Sequence, residues 1–206
     1  MHSREPIVHP VDIADLRPTQ MTVGLREVED KRRRWRQTAG RKKGEFLGRH
    51  MIPVLKGPKK RFYVIDHHHL ARALMEEKVD EILVTVVADL SGLDKAMFWT
   101  VCDLKGWTHP YDANGKRCDF AAIPKSVGDL VDDPYRSLAG MVRRAGGFAK
   151  DTTPFAEFLW AAYLRLHVKR KTIEEDFDAA VEQALAAAKV ADADFLPGWC
   201  GPSDGP

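Results

Sequence analysis

The feature that most constrains this chain is the run from Arg61 to Leu74, RFYVIDHHHLARAL. Phe62, Tyr63, Val64 and Ile65 make a short, apolar, β-rich segment, and from Leu70 onward Leu70, Ala73 and Leu74 recur at helical spacing. A strand must therefore pass into a helix at Asp66-His67-His68-His69. The first turn of a helix exposes unpaired N–H groups and the positive end of the macrodipole, which together favour an anion, most often a phosphate. Imidazoles there add donors whose charge changes near neutral pH. Neighbouring residues lie about 100° apart around a helix, so the three rings cannot all face one way. Two are expected to face a pocket and one to pack or meet solvent.

Around this corner the chain reads as an α+β protein. Ile7-Val8 and Ile13 to Leu16 frame an opening segment, and Leu16 to Gln20 is extended and ends in a turn. Val23 to Gln37 predicts a charged helix, and Thr38 to Arg49, rich in Gly, Lys and Arg, a mobile basic loop. Ile52 to Leu55 and Phe62 to Asp66 predict a β-hairpin about Gly57-Pro58, and Glu81 to Ala88 a buried strand. Leu93 to Leu104 is helical in pattern, and Trp107 to Gly115 a loop with turn signals. From Ser126 onward no strand is expected, only helices over Pro134 to Ala145, Phe155 to Val168 and Ile173 to Val190, then a loop from Leu196 to the end. The expected organisation is a small mixed sheet with helices over residues 1–125 and a helical extension over 126–206 packed on it.

Composition excludes several classes. With 44% hydrophobic and 30% charged residues, the chain is ordinary for a soluble globular protein. Its longest apolar run, Ile82 to Ala88, is too short for a bilayer, and Met1 to Pro10 lacks a signal peptide's apolar block, so a cytoplasmic protein without a membrane partner is expected. Cys102, Cys118 and Cys200 are odd in number and widely spaced, which indicates neither disulfides nor a zinc site. The net charge of +2 hides an asymmetry: Lys31 to Arg61 holds thirteen basic residues and one acid, whereas Glu174 to Asp194 holds seven acids and one base. Such a basic run suits a polyanion such as nucleic acid, and equally a solvated helix and loop.

The order of opening segment, LRPTQ turn, charged helix, hairpin, and strand into helix at a polar corner resembles the ParB/sulfiredoxin superfamily. There the corner carries GERR in partition proteins, GCHR in sulfiredoxins and DGHHR in free-serine kinases. Aligned on Leu70, this chain offers Asp66-His67-His68-His69, with His69 in place of the motif arginine and no glycine. LRPTQMTVG at Leu16 to Gly24, DHHHLARAL, DDPYRSLAG at Asp132 to Gly140, RRAGGFAK at Arg143 to Lys150, PFAEFLWA at Pro154 to Ala161 and LPGW at Leu196 to Trp199 are similar to the ParB-like nuclease group within it. The resemblance implies a small mixed sheet with an appended helical part and a nucleotide or phosphate at the corner. It does not choose a chemistry, because the superfamily includes DNA clamps, sulfinate activation and serine phosphorylation.

On this reading Asp66, His67 and His68 are the candidate catalytic residues, and Arg17, Gln20, His68, His69 and Arg72 the candidate phosphate ligands. Arg136, Arg143 and Lys150 are cations that the extension would bring to the same pocket. Each has a plainer alternative: Asp66 as a helix N-cap, Gln20 as a turn residue bonded to backbone, Arg72 as a surface arginine, Arg136 and Arg143 as bridges between helices. No full ligand set for a protein-held metal is evident. Mg²⁺ with ATP, ADP or CTP is the expected cofactor pair for an enzyme of phosphoryl transfer or phosphodiester hydrolysis. The second reading is a non-catalytic module that binds nucleic acid through Lys31 to Arg61, or a nucleotide that gates such binding.

Overall fold

Apolar β-branched residues at Ile52, Val54, Val64, Ile82 and Val84 drive the assembly of the sheet, and all five are buried. In the computed structural model, which describes residues 8–201, five strands align in the order β1 (Val8–Asp12), β6 (Glu81–Asp89), β4 (Ile52–Lys56), β5 (Phe62–Val64) and β2 (Arg17–Pro18). The pairing is mixed: β1/β6 and β4/β5 are antiparallel, β4/β6 and β2/β5 parallel. Ile7 and the last five residues of the expected tail loop fall outside the described residues. The expected hairpin is β4–β5, closed by the Gly57 N–H donating to the Arg61 carbonyl at 2.8 Å.

Against this sheet pack α1 (Leu25–Gln37), α2 (Gly40–Arg49) and α3 (His68–Glu76), with α4 (Lys95–Leu104) following β6. The segment expected as a mobile loop, Thr38 to Arg49, is helical from Gly40. Its Phe46 and Leu47 pack on the core, with the Phe46 ring edge-on to Trp35 at 5.7 Å, and that anchorage offsets three glycines. Val23 lies before the helix that was expected to contain it, in the two-residue strand β3 (Thr22–Val23).

The helical extension builds a second core on α5 (Pro134–Arg144), α6 (Ala156–His167), α7 (Arg170–Glu175) and α8 (Phe177–Ala188), around Leu138, Trp160 and Leu164. Val127 and Leu130 still belong to the first core, so the two cores meet between Leu130 and Tyr135. Two features depart from the sequence reading here. A strand does occur after Ser126, β7 (Val131–Asp132), paired in parallel with β3. The expected helix over Ile173 to Val190 is interrupted at Asp176, whose carboxylate instead caps α8 by accepting from the Ala179 N–H at 3.0 Å.

The join between the two parts is tight. The N-terminus of α1 has no capping side chain of its own. Asp132 accepts from the Leu25 N–H at 2.8 Å and Ser137 from the Arg26 N–H at 3.3 Å. A Cβ on Gly24 would stand 2.7 Å from both the nitrogen and the hydroxyl of Ser137. Gly24→Ala must push α1 away from α5, and overpacking of this kind costs about 1–3 kcal/mol. A thermal melt should show the loss, and an unchanged melting temperature would mean that the junction is loose.

Candidate functional site

The strand leaves Val64, and the chain turns at His67, which adopts a left-handed conformation (φ 63°, ψ 25°) as the N-cap of α3. Asp66 therefore stands one position before the cap. Its Oδ1 accepts from the His67 N–H at 2.6 Å. Asp66 and His67 are exposed, whereas His68 and His69 are buried.

The two buried rings hold backbone. Nε2 of His68 accepts from the Thr19 N–H at 3.3 Å, and Nε2 of His69 from the Gly24 N–H at 3.0 Å. An accepting Nε2 leaves the single ring proton on Nδ1. Burial draws both pKa values down to about 3, with the neighbouring His69 ring adding to the effect on His68 and Arg136 adding to it on His69. Both rings are thus neutral near neutral pH. They pin the two ends of the Thr19 to Gly24 segment to the helix start. Glu27 Oε2 lies 3.4 Å from Nε2 of His69, too far for more than a weak contact with a neutral ring. His67 is the ring free to titrate at the surface; desolvation lowers its pKa and the Asp66 carboxylate partly offsets this.

Between this corner, α5, α6 and the segment leading into α6 lies a cavity of about 630 Å³. From the corner, Gln20, Asp66 and all three histidines line it. From the extension come Arg136, Arg143 and Lys150. Two candidates lie elsewhere. Arg17 sits in β2 beside Tyr63. Arg72 bonds Glu76 and the Leu130 carbonyl, tying α3 to the segment before β7. Gln20 donates through Nε2 to the Thr22 carbonyl at 2.7 Å, the backbone bond of its plainer alternative, and also lines the cavity.

The cavity also takes Glu27, Glu157 and Phe158, which sequence reasoning did not select, and Lys31, which it counted only within the basic run. Helical spacing marks Phe158 as an inward residue, but nothing local marks Glu157 or Lys31. Arg136 dominates the electrostatics. It is 5% exposed, its guanidinium lies 3.9 Å from the centre of the Phe158 ring, and its Nη2 reaches Glu157 at 3.4 Å. Nε and Nη1 of Arg136 are buried without an acceptor. Glu157 is bonded more closely by Arg143, at 2.8 Å, which leaves the Arg136 charge poorly compensated. Lys31 and Lys150 make no ion pair among the described residues.

Among the described residues no group of three or more His, Cys, Asp or Glu side chains could hold a metal. The donors present fit at most a cation arriving with a phosphate ligand, with Asp66 as a carboxylate partner. Cys102 is buried and its thiol pushed up to about 12, so it offers no thiolate. No helix among the described residues is long and apolar enough to cross a membrane.

The basic run looks different once folded. Arg32 and Arg36 bond Glu77 and Glu29, Arg33 bonds Asp30, Lys56 bonds Asp89, and the Lys43 ammonium sits 4.7 Å from the Trp35 ring centre. Acids just before the run, Glu29 and Asp30, and others distant in sequence, Glu77 and Asp89, thus neutralise part of the charge counted along the chain.

Comparison with known proteins accords with this architecture. A solved structure, protein Atu1540 from Agrobacterium tumefaciens, is 49% identical, covers 96% of this chain and 98% of its own, and superposes with a TM-score of 0.90. No curated protein matches the chain. Residues 9–166 match the family described as "Putative ParB-like nuclease", a span that holds the sheet, the histidine corner and both helices of the extension that line the cavity. The chain belongs to this ParB-like nuclease family.

Proposed function

We propose that the 630 Å³ cavity binds a nucleotide or a phosphodiester and carries out phosphoryl transfer or hydrolysis on it. The observation that carries this reading is Arg136: a guanidinium removed from water, with two N–H groups lacking acceptors, at the wall of a cavity that also receives Arg143, Lys31 and Lys150. Burying an uncompensated charge is costly, and an anion in the cavity supplies the missing counter-charge. The N-terminus of α3 faces the same space and adds its dipole. His68 and His69 act here by fixing the wall, because their Nε2 atoms are engaged and their rings neutral. Asp66 and His67 are the groups free to move a proton, with Asp66 also able to face a cation brought by the phosphates. The "nuclease" of the family description supports the hydrolytic form of the reading.

The test is a thermal-shift series with ATP, ADP, CTP and a short DNA duplex, each with and without Mg²⁺, since a ligand selective for the native state raises its melting temperature. A nucleotide-dependent rise, followed by product formation that disappears in Asp66→Asn and His67→Ala while binding persists, is the expected result. Turnover unaffected in both variants would remove them from the chemistry. A shift with duplex DNA alone, weakening steeply with salt, would favour the second reading, a nucleic-acid module using the basic surface; the ion pairs that consume Arg32, Arg33, Arg36 and Lys56 weigh against it.

A further inference from the structure

Beyond the anion cavity lies a second one of about 370 Å³, between the loop Trp107 to Gly115 and α6. The two share part of a wall: Gly106, Pro154, Phe155 and Phe158 line both. The rings of His109 and Tyr111 are stacked, with centres 4.4 Å apart, and the His109 centre lies 3.8 Å from that of Phe158 and 5.0 Å from that of Phe155. Burial keeps His109 uncharged, with its pKa drawn down to about 3, so this aromatic group carries no cation of its own. One end of the cavity is polar. Arg165 donates through Nη2 to Asp133 at 2.8 Å, while its Nη1 makes no bond to a described residue and its Nε is buried without an acceptor. An apolar, aromatic slot with a few convergent polar groups is the usual character of a small-molecule site.

We propose that this second cavity is the subsite for the base of a nucleotide whose phosphate occupies the first, an inference that rests on the phosphate reading above. The Phe158 ring contacts Arg136 of the anion cavity and His109 of the aromatic one, so the two subsites lie one ring apart, as the phosphate and base of one mononucleotide do. With Phe158 already met by Arg136 and His109, and His109 by Phe158 and Tyr111, the rings left with a face for stacking are Tyr111 and Phe155, and Arg165 offers donors to a carbonyl or ring nitrogen on the base edge. Asp133 is already bonded to Arg165 and to the Tyr135 N–H, but Asp103 and Asp112 on the same lining each keep one carboxylate oxygen without a bond among the described residues, so the slot offers acceptors as well as the Arg165 donors. That suits a base whose edge presents both an amino group and acceptors.

Titration calorimetry of the full chain can read the two subsites separately, with cytidine as a base without phosphate, ribose 5-phosphate as a phosphate without base, and CMP carrying both. Ala162 is exposed and lines only the second cavity, so Ala162→Trp fills it with little disturbance of the core. Arg136→Met disarms only the first. The expected pattern is crossed: Ala162→Trp abolishes cytidine binding and weakens CMP at least tenfold while ribose 5-phosphate binds as before, and Arg136→Met does the reverse. CMP binding unchanged in Ala162→Trp, with ribose 5-phosphate still dependent on Arg136, overturns the base subsite and leaves the phosphate reading standing. Cytidine binding that needs an open second cavity, with ribose 5-phosphate indifferent to Arg136, overturns the phosphate reading instead. No binding by any of the three overturns both.

Discussion

Arg136→Met is expected to abolish binding of a phosphate ligand while leaving the fold about as stable as before. A buried cation whose compensation is partial carries a desolvation cost that an apolar side chain of similar length does not, so the exchange is expected to be near neutral. Here the ionic compensation given up is small, because Arg136 meets Glu157 only at 3.4 Å and two of its N–H groups have no acceptor, and a Met side chain can still pack on the Phe158 ring that the guanidinium now covers. Glu157 keeps its closer bond to Arg143. The ligand loses much more. Truncating one side of a desolvated, hydrogen-bonded charge pair costs about 2–5 kcal/mol, at least a tenfold fall in affinity. Paired thermal melts and titrations would check this. A variant that is strongly destabilised would show Arg136 to be a structural bridge between α5 and α6, and one that binds phosphate unchanged would take Arg136 out of the site.

The second large effect is with pH. His68, His69 and His109 have pKa values near 3 in the folded protein, against an ordinary 6.5. Between these values the unfolded chain binds protons that the folded protein does not, so stability falls as the pH falls from about 6.5 toward 3. One pKa unit corresponds to 1.36 kcal/mol, so each ring removes about 2 kcal/mol between pH 6.5 and 5. Desolvation lowers His67 in the same sense, while burial pushes the Asp133 carboxyl up and opposes the trend. The melting temperature should therefore drop steeply below pH 6.5 and be flat above it as far as these rings are concerned. His69→Gln, whose longer side chain can bring an amide oxygen toward the place of Nε2 and accept from the Gly24 N–H but cannot titrate, should remove that ring's share of the slope. A profile that stays level from pH 7 to 5 would contradict the neutral, backbone-holding role of the buried rings.

That role separates what was legible in the sequence from what was not. The strand–helix corner at Asp66 to His69 could be read from a change of periodicity, because the period of side-chain burial is a local property of strands and helices. So could the hairpin about Gly57-Pro58, the start of α5 at Pro134 and the likeness to the ParB-like family, which rests on contiguous motifs. Where local signals misled, packing had overruled them. Three glycines and several cations argued for a loop after Thr38, but Phe46 and Leu47 found Trp35 and the sheet core, and the segment became α2. Alanine-rich continuity argued for one helix after Ile173, but Asp176 serves better as a cap.

The candidate site divides along the same line. Residue types alone nominated Asp66, the histidines, Arg136, Arg143 and Lys150, and the fold gathers all of them around one cavity. The sequence could not exclude Arg17 and Arg72, which face other neighbours, nor select Glu27, Glu157 and Phe158, nor single Lys31 out of the basic run. It could not tell which histidines are free, because Thr19 and Gly24 lie 49 and 45 residues from the rings that hold them. The +12 charge of the basic run likewise depended on Glu77 and Asp89, outside the window in which it was counted. The amino-acid sequence by itself determined which elements form and which chemical groups they carry. Only the tertiary structure decided which of those groups lose their water and find partners, because desolvation and pairing depend on contacts between residues far apart along the chain.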